Sequence, residues 1–399
     1  MAFCDNSNGD CMNSIPGHYK VSLRGYRTFI PAALPPQLSL DPTVARAVED
    51  ATHLLGQVEM CRTLLPNANL LIYSSLQREA LASSTIEGTI ASPDELVQFQ
   101  VSHYSPRAEV REVANYREAL AWGVEQVKTM PLTSRLILGL HERLLQGVRG
   151  ASRAGHFKDD QNRIGSHLNE PFAAAIFVPP PPEDILDLIA ALERYINLKN
   201  DEPRVMQCAL THYQFETIHP FNDGNGRVGR LLIILQMIQL GLLSAPLIYP
   251  SVYFERTRAK YYQRLQAVRE QGAWNEWIGY FAEGIQQQCK ETVDFTLMIL
   301  ALRQQLRSGV AHVKRRASVA EVLDAFFQEP VLAPAQLAQY ANISVNAVMA
   351  ALNILEAEGL VFEITGKQKR RVYACRPVLD AIFGPARGAA ASVVVSAAV

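Results

Sequence analysis

The amino-acid sequence predicts a mainly α protein in two parts: a large helical body with one short β element, then a smaller C-terminal region of three helices and a hairpin. Three observations carry that prediction. Apolar residues recur at helical spacing through most of the first 305 positions. One run, Ala175-Ile176-Phe177-Val178, is continuous, apolar and halted by four prolines, which marks a strand that stops abruptly. After about residue 308 the pattern shortens into helix, helix, helix and hairpin.

Taken in order, residues 1–17 are polar and rich in Gly, Asn and Ser, the composition of a disordered N-terminus. Pro31, Pro35 and Pro36 mark an extended arm leading to a helix near Pro42. Helices are predicted over 42–65, 68–87, 93–103, 108–129, 132–147, 183–199, 203–217, 225–241 and 255–270, with one or two more in 272–305. Further on, Ser318 and Glu321 form a capping box for a helix that ends before Pro330. Pro334 opens a second helix, and Ser344 caps a third that ends at Gly359. Leu360–Thr365 and Arg371–Cys375 flank a turn at Gly366 as a hairpin. Residues 384–399 are a low-complexity tail. The divisions are therefore 1–17, 18–110, 111–305, 308–380 and 384–399.

At 399 residues the chain can bury a substantial core in two or three domains. A net charge of −1 favours no nucleic acid, membrane or acidic partner in bulk. Six cysteines are scattered without a CxxC pair, which fits a reducing cytoplasm better than a disulfide framework or a zinc site. No signal-peptide pattern opens the chain, and its longest apolar run, Leu231–Leu243, is too short to span a bilayer. The expectation is a soluble cytoplasmic protein.

The twelve residues from His219 to Arg230, HPFNDGNGRVGR, concentrate the chemistry. The apolar stretch that follows is a buried helix, so Gly224, Asn225 and Gly226 sit where the chain enters it. A helix start exposes unpaired N–H groups and the positive end of the dipole. Glycines around an asparagine let the backbone curl into a nest of N–H donors. Arg227 and Arg230 are spaced to grip two phosphates of one chain. Asp223 is a hard oxygen ligand suited to Mg²⁺. His219 titrates near neutral pH and is the natural general base. The segment is neither a Walker loop nor a dinucleotide fingerprint.

HPFNDGNGRVGR resembles the signature of Fic-domain proteins, His-x-Phe-x-Asp/Glu-Gly-Asn-Gly-Arg-x-x-Arg, at every defined position. GHFKDDQNRIG, AIFVPPPP and AKYYQRLQAVREQGAW are also family-like, and the resemblance covers most of residues 20–300. It implies a Fic-type helical core with a β-flap in 111–305, and transfer of AMP from ATP to a hydroxyl side chain (Ser, Thr or Tyr) of a target protein. His219 would be the base, Asp223 the Mg²⁺ ligand and Gly224, Asn225 and Gly226 the phosphate cradle. Arg227 would hold the β end and Arg230 the γ-phosphate. Tyr261 and Tyr262 would line the nucleotide pocket, and Ile176, Phe177 and Val178 would form a flap that pairs with the target backbone. Self-modification and a homodimer are further expectations.

Ser83-Ser84-Thr85-Ile86-Glu87-Gly88 ends a helix, with Gly88 as its cap. A glutamate at the negative end of a helix dipole costs about 0.3–1 kcal/mol unless a cation answers it. The stretch resembles the family's inhibitory motif, whose Ser83 and Glu87 would hold Arg230 and exclude the γ-phosphate. Its place ahead of the signature implies the subclass with an N-terminal inhibitory helix, here within 18–110. The C-terminal region is similar to a winged helix-turn-helix. Its third helix lacks Lys and Arg, whereas DNA binding draws on cationic contacts, so protein contact ranks above DNA. Two other readings are removal of AMP by the same site and a DNA-binding regulator that uses the core as a nucleotide sensor.

Overall fold

Two helices buried on every face organise the molecule. In a computed structural model that describes residues 16–65, 68–102, 107–165, 172, 175–367 and 369–384, these are α7 (Arg204–Ile218) and α8 (Asn225–Gln239). Both bury charged or polar side chains, Glu216 in α7 and Arg227 and Arg230 in α8, and the loop between them carries the signature.

Around them run α1 (Pro42–Leu64), α2 (Asn69–Ile86), α3 (Pro93–Ser102), α4 (Ala108–Val127), α5 (Ser134–Leu144) and α6 (Ile185–Asn197). After α8 come α9 (Pro250–Arg256), α10 (Arg258–Gln271) and α11 (Trp274–Gly309). Helix α1 packs along α11, α4 packs on α5 and α8, and α2 lies between α4 and α9. Among the described residues no helix is long and apolar enough to cross a membrane.

Several expectations change here. The predicted helix over 255–270 is two helices, joined at Thr257, whose hydroxyl donates to the Tyr253 carbonyl at 2.7 Å. Within 272–305 one helix forms, starting at Trp274, and its 36 residues run past the expected boundary to Gly309. Ahead of the extended arm lies an unexpected antiparallel hairpin, β1 (Gly17–Val21) against β2 (Arg27–Pro31), with Gly17 opposite Pro31. Phe29 in β2 is buried and its ring lies 6.0 Å from that of Phe177, so a distant apolar partner stabilises strands too short to declare themselves. The body therefore contains more than one β element. Residues 1–15 and 385–399, where a disordered N-terminus and most of the tail were expected, lie outside the described residues.

The C-terminal region holds α12 (Arg316–Ala325), β3 (Val331–Leu332), α13 (Pro334–Ala341), α14 (Val345–Ala357), β4 (Val361–Glu363), β5 (Tyr373–Cys375) and α15 (Arg376–Phe383). The strands form one antiparallel sheet in the order β3-β5-β4. Ser344 caps α14 as expected, accepting from the Ala347 N–H at 3.2 Å. The Ser318–Glu321 box is absent because α12 already begins at Arg316, behind a left-handed Arg315. Strand β3 and helix α15 have no counterpart in the sequence reading. Helix α15 docks back on the body, where Arg78 of α2 donates to the Ile382 carbonyl at 3.0 Å and the Ala381 carbonyl at 3.3 Å.

Candidate active site

The signature loop is held by side chains pointing back into it. His219 caps α7 in the left-handed region at φ 50°, its N–H donating to the Phe215 carbonyl at 2.9 Å. That conformation costs a non-glycine residue about 1–3 kcal/mol and persists only where its surroundings enforce it. They do so here. Phe221 is buried and stacks on His141 at 3.8 Å. The Asn225 side chain brackets Phe221, accepting from its N–H and donating to its carbonyl, both at 2.8 Å. His141 Nε2 donates to the Asp223 carbonyl at 3.1 Å while its Nδ1 accepts from the Gly155 N–H at 3.1 Å, which fixes one neutral tautomer. Burial holds that imidazole at a pKa of about 4. Gly224 caps α8 at φ 82°, and Asp223 Oδ1 accepts from its N–H at 2.6 Å.

His219 is half-buried. Burial first, then the cations Lys158 and Arg269, push its pKa down to about 3. Its Nδ1 lies 3.4 Å from the Glu216 carbonyl. A carbonyl can only accept, so Nδ1 carries the proton and Nε2 keeps the lone pair.

Both arginines already have carboxylate partners. Arg227 is buried, with Nη1 3.0 Å from Glu112 Oε2 and Nη2 3.3 Å from Asp223 Oδ1. Arg230 is 1% exposed. Its Nε donates to Ser83 Oγ at 2.8 Å, and its Nη2 to the Ser83 carbonyl at 2.9 Å and to Glu87 Oε1 at 2.8 Å. Burial pulls the Arg230 pKa down, but Glu87 and the neighbouring Tyr261 and Glu216 outweigh it and leave it raised. Helix α2 ends at Ile86, Glu87 is its cap and Gly88 turns left-handed at φ 85°. A Cβ placed on Gly226 would collide with Glu87 Oε1, so this carboxylate lies against the backbone of the first turn of α8. Glu216, one turn before His219, is buried against Gly229, and burial raises its pKa to about 7.

The two tyrosines part company. Tyr261 does not line an open pocket. It is 1% exposed, and its hydroxyl donates to His212 Nε2 at 2.8 Å because His212 Nδ1 is committed to the Gly229 carbonyl at 3.1 Å. Tyr262 is 43% exposed, near enough to Glu87 and Arg230 to feel both charges.

The flap is shorter than a strand. Phe177 makes an antiparallel bridge to Ile164 through bonds of 2.8 and 3.0 Å, and its buried ring lies under the Arg269 guanidinium at 3.9 Å. The Val178 carbonyl accepts from the Phe29 N–H at 3.0 Å. These pairings consume most of the edge, and Ile176 is the flap side chain that faces solvent.

Glu112, Lys158, Asn162, His141 and Glu216 escaped the sequence reading. Glu112 lies 115 positions before Arg227, and nothing local announces such a partner. Among the described residues no group of three or more His, Cys, Asp or Glu side chains could hold a metal by itself.

Residues 131–237 match the family model described as Fic/DOC family, and residues 45–125 the one described as Fic/DOC family N-terminal. A protein adenylyltransferase Fic of Drosophila ananassae is 35% identical over 146 residues, which is 36% of this chain and 26% of that protein. Its counterpart in Drosophila melanogaster is 34% identical over 146 residues, with the same two shares. The chain thus spans about a quarter of the length of these curated relatives. Among solved structures, a Fic family protein from Desulfovibrio desulfuricans G20 superposes with a TM-score of 0.55 at 19% identity, covering 86% of this chain and 98% of that one. Fic-1 from C. elegans gives 0.50 at 18% identity, covering 63% and 72%. Residues 45–125 and 131–237, the second containing the signature loop, thus carry the two domains of the Fic/DOC family.

Proposed function

We propose that this chain transfers AMP from ATP to a hydroxyl side chain of a target protein, and that Glu87 holds the transfer in check. The single observation that carries the reading is a neutral imidazole with a free Nε2 next to a helix start whose arginine already grips a carboxylate. In the step proposed, the target hydroxyl oxygen attacks the α-phosphorus and its proton passes to His219 Nε2. The bond from the α-phosphorus to the bridging oxygen breaks, and pyrophosphate leaves. Such a displacement depends mainly on positioning and on stabilising charge.

The backbone around Gly224, Asn225 and Gly226 would cradle the phosphates, with Arg227 at the β end and Arg230 at the γ-phosphate. Glu87 occupies Arg230 in the meantime, so ATP can seat its γ-phosphate only once that pair separates. Tyr262 would border the nucleotide, while Tyr261 would support it from the core. Ile176 and the remaining edge around it would meet the target. Asp223 fits a hard cation, since its carboxylate is 35% exposed beside the nest. Mg²⁺ held there would neutralise charge on the α- and β-phosphates. Residues 18–110, 111–305 and 308–380 would serve as inhibitory region, transfer core and a winged-helix module for protein contact.

The test is incubation with α-labelled ATP and Mg²⁺, using the wild-type chain and Glu87→Gly in cell lysate. Label on protein, stronger for the variant, is the expected result. Absence of protein-bound label from both chains would overturn the reading.

A further inference from the structure

A buried lysine stands beside the base without an anion to answer it. Lys158 is 4% exposed. Its Nζ donates to Asn162 Oδ1 at 2.6 Å, and among the described residues it forms no ion pair. The acidic neighbours that follow it are engaged elsewhere: Asp159 pairs with Arg153 and Asp160 with Arg24. Burying an ammonium without a carboxylate is expensive, so such a group persists where its charge is used.

Lys158 and Asn162 grip the signature loop at three points. The Lys158 N–H donates to the Pro220 carbonyl at 2.9 Å. Asn162 Nδ2 donates to the carbonyls of His219 at 3.4 Å and Phe221 at 2.8 Å. Lys158 in turn fixes the Asn162 amide, because its donation to Oδ1 leaves Nδ2 facing the loop. The groups around His219 are therefore Lys158 from this segment, Arg269 from α10 and, from α7, the Glu216 carbonyl with its buried carboxylate. Two cations face the imidazole, and of these Arg269 also stacks on Phe177 and reaches the Thr217 hydroxyl at 3.3 Å. Lys158 has no such second occupation.

We propose that Lys158 is a positioning residue for His219, which clamps the loop through Asn162 and, by its unanswered charge, keeps the imidazole in the neutral, proton-accepting form. This rests on the reading of His219 as the base. The ammonium, its own pKa pushed down by burial to about 7, stays charged through the acid range in which His219 takes up its proton. A field of this kind stabilises the base without touching substrate.

The test measures the His219 titration midpoint by NMR on histidine-labelled protein, assigned with His219→Gln, together with the pH profile of transfer in a Glu87→Gly background. Lys158→Met removes the charge and keeps most of the volume. It should move the midpoint up by about one pH unit, and transfer on the acid limb should fall about tenfold. Asn162→Asp keeps the lysine and supplies the missing anion, so it should move the midpoint the same way even if Lys158→Met fails to fold. Lys158→Arg should retain the low midpoint. Unchanged midpoints in both Lys158→Met and Asn162→Asp would overturn the inference. The midpoint is read whether or not any variant transfers AMP. A moved midpoint with no transfer at all would support Lys158 and sink the proposed function instead.

Discussion

The signature loop and the C-terminal region handle polarity in opposite ways. Around the loop, Arg227, Arg230, Glu216, Glu79 and Lys158 are all buried, and most are matched to partners from other helices. Beyond residue 310 no described charged side chain is fully buried. Lys367, Lys369, Arg370 and Arg371 between β4 and β5 are exposed, while the interior is built from Val319, Val322, Leu337, Val348 and Leu352. A buried charge costs energy that packing alone would not spend. The contrast therefore separates a region that buries charged groups from one whose interior is apolar.

The comparison breaks most sharply at His219. His219→Ala should lower AMP transfer by about 10²–10⁴-fold with ATP binding nearly intact, as measured by transfer assay and calorimetry. Retained transfer would remove the imidazole from the reaction. Next is the carboxylate on Arg230. Glu87→Gly should raise transfer about 5–150-fold, the span of a coupling of 1–3 kcal/mol. Arg230→Ala should release the same helix and gain nothing, because the γ-phosphate then lacks its anchor. Equal activation of both variants would show that Arg230 is a lock alone.

Stability sharpens the same contrast. Glu112→Gln removes the buried one of Arg227's two carboxylates and should cost about 3 kcal/mol. Asp324→Asn, which weakens the part-exposed pairs of α12 with Arg303 and Arg307, should cost about 1 kcal/mol or less. Denaturant melts of the two variants decide whether that ranking holds.

A further contrast lies in pH dependence. Burial raises the Glu216 pKa to about 7 from an ordinary 4.5, so the folded state binds a proton more tightly than the unfolded chain. This contribution is present at acid pH and is lost as pH rises from 4.5 through 7. Glu216→Gln should therefore lose less stability than wild type between pH 5 and pH 7.5 in thermal melts. Parallel curves would mean that Glu216 is ionised throughout.

What was legible depended on range. His219, Asp223, Gly224 and the two arginines lie within twelve residues at a helix start, and their spacing alone placed them together. Glu87 was legible through the resemblance of Ser83–Gly88 to the family's inhibitory motif, since a carboxylate before a helix-ending glycine is by itself ordinary. The β1–β2 hairpin was not, since its strands owe their burial to Phe177 and Val178 far along the chain. Tyr261 and Tyr262 were indistinguishable as neighbours, and only the packing of α10 sent one to His212 and left the other toward solvent.

By itself, then, the sequence determined the helical body, the order of its breaks and the chemistry of the α7–α8 loop, because each is written in spacings of a few residues. Tertiary structure alone decided which carboxylate answers Arg227, which segment clamps the His219 carbonyl and which side chain holds Asp223 in place. Those partners, Glu112, Asn162 and His141, come from distant points in the chain. A buried charge or carbonyl must be satisfied by whichever group packing brings within reach, and that choice is made only when the helices meet.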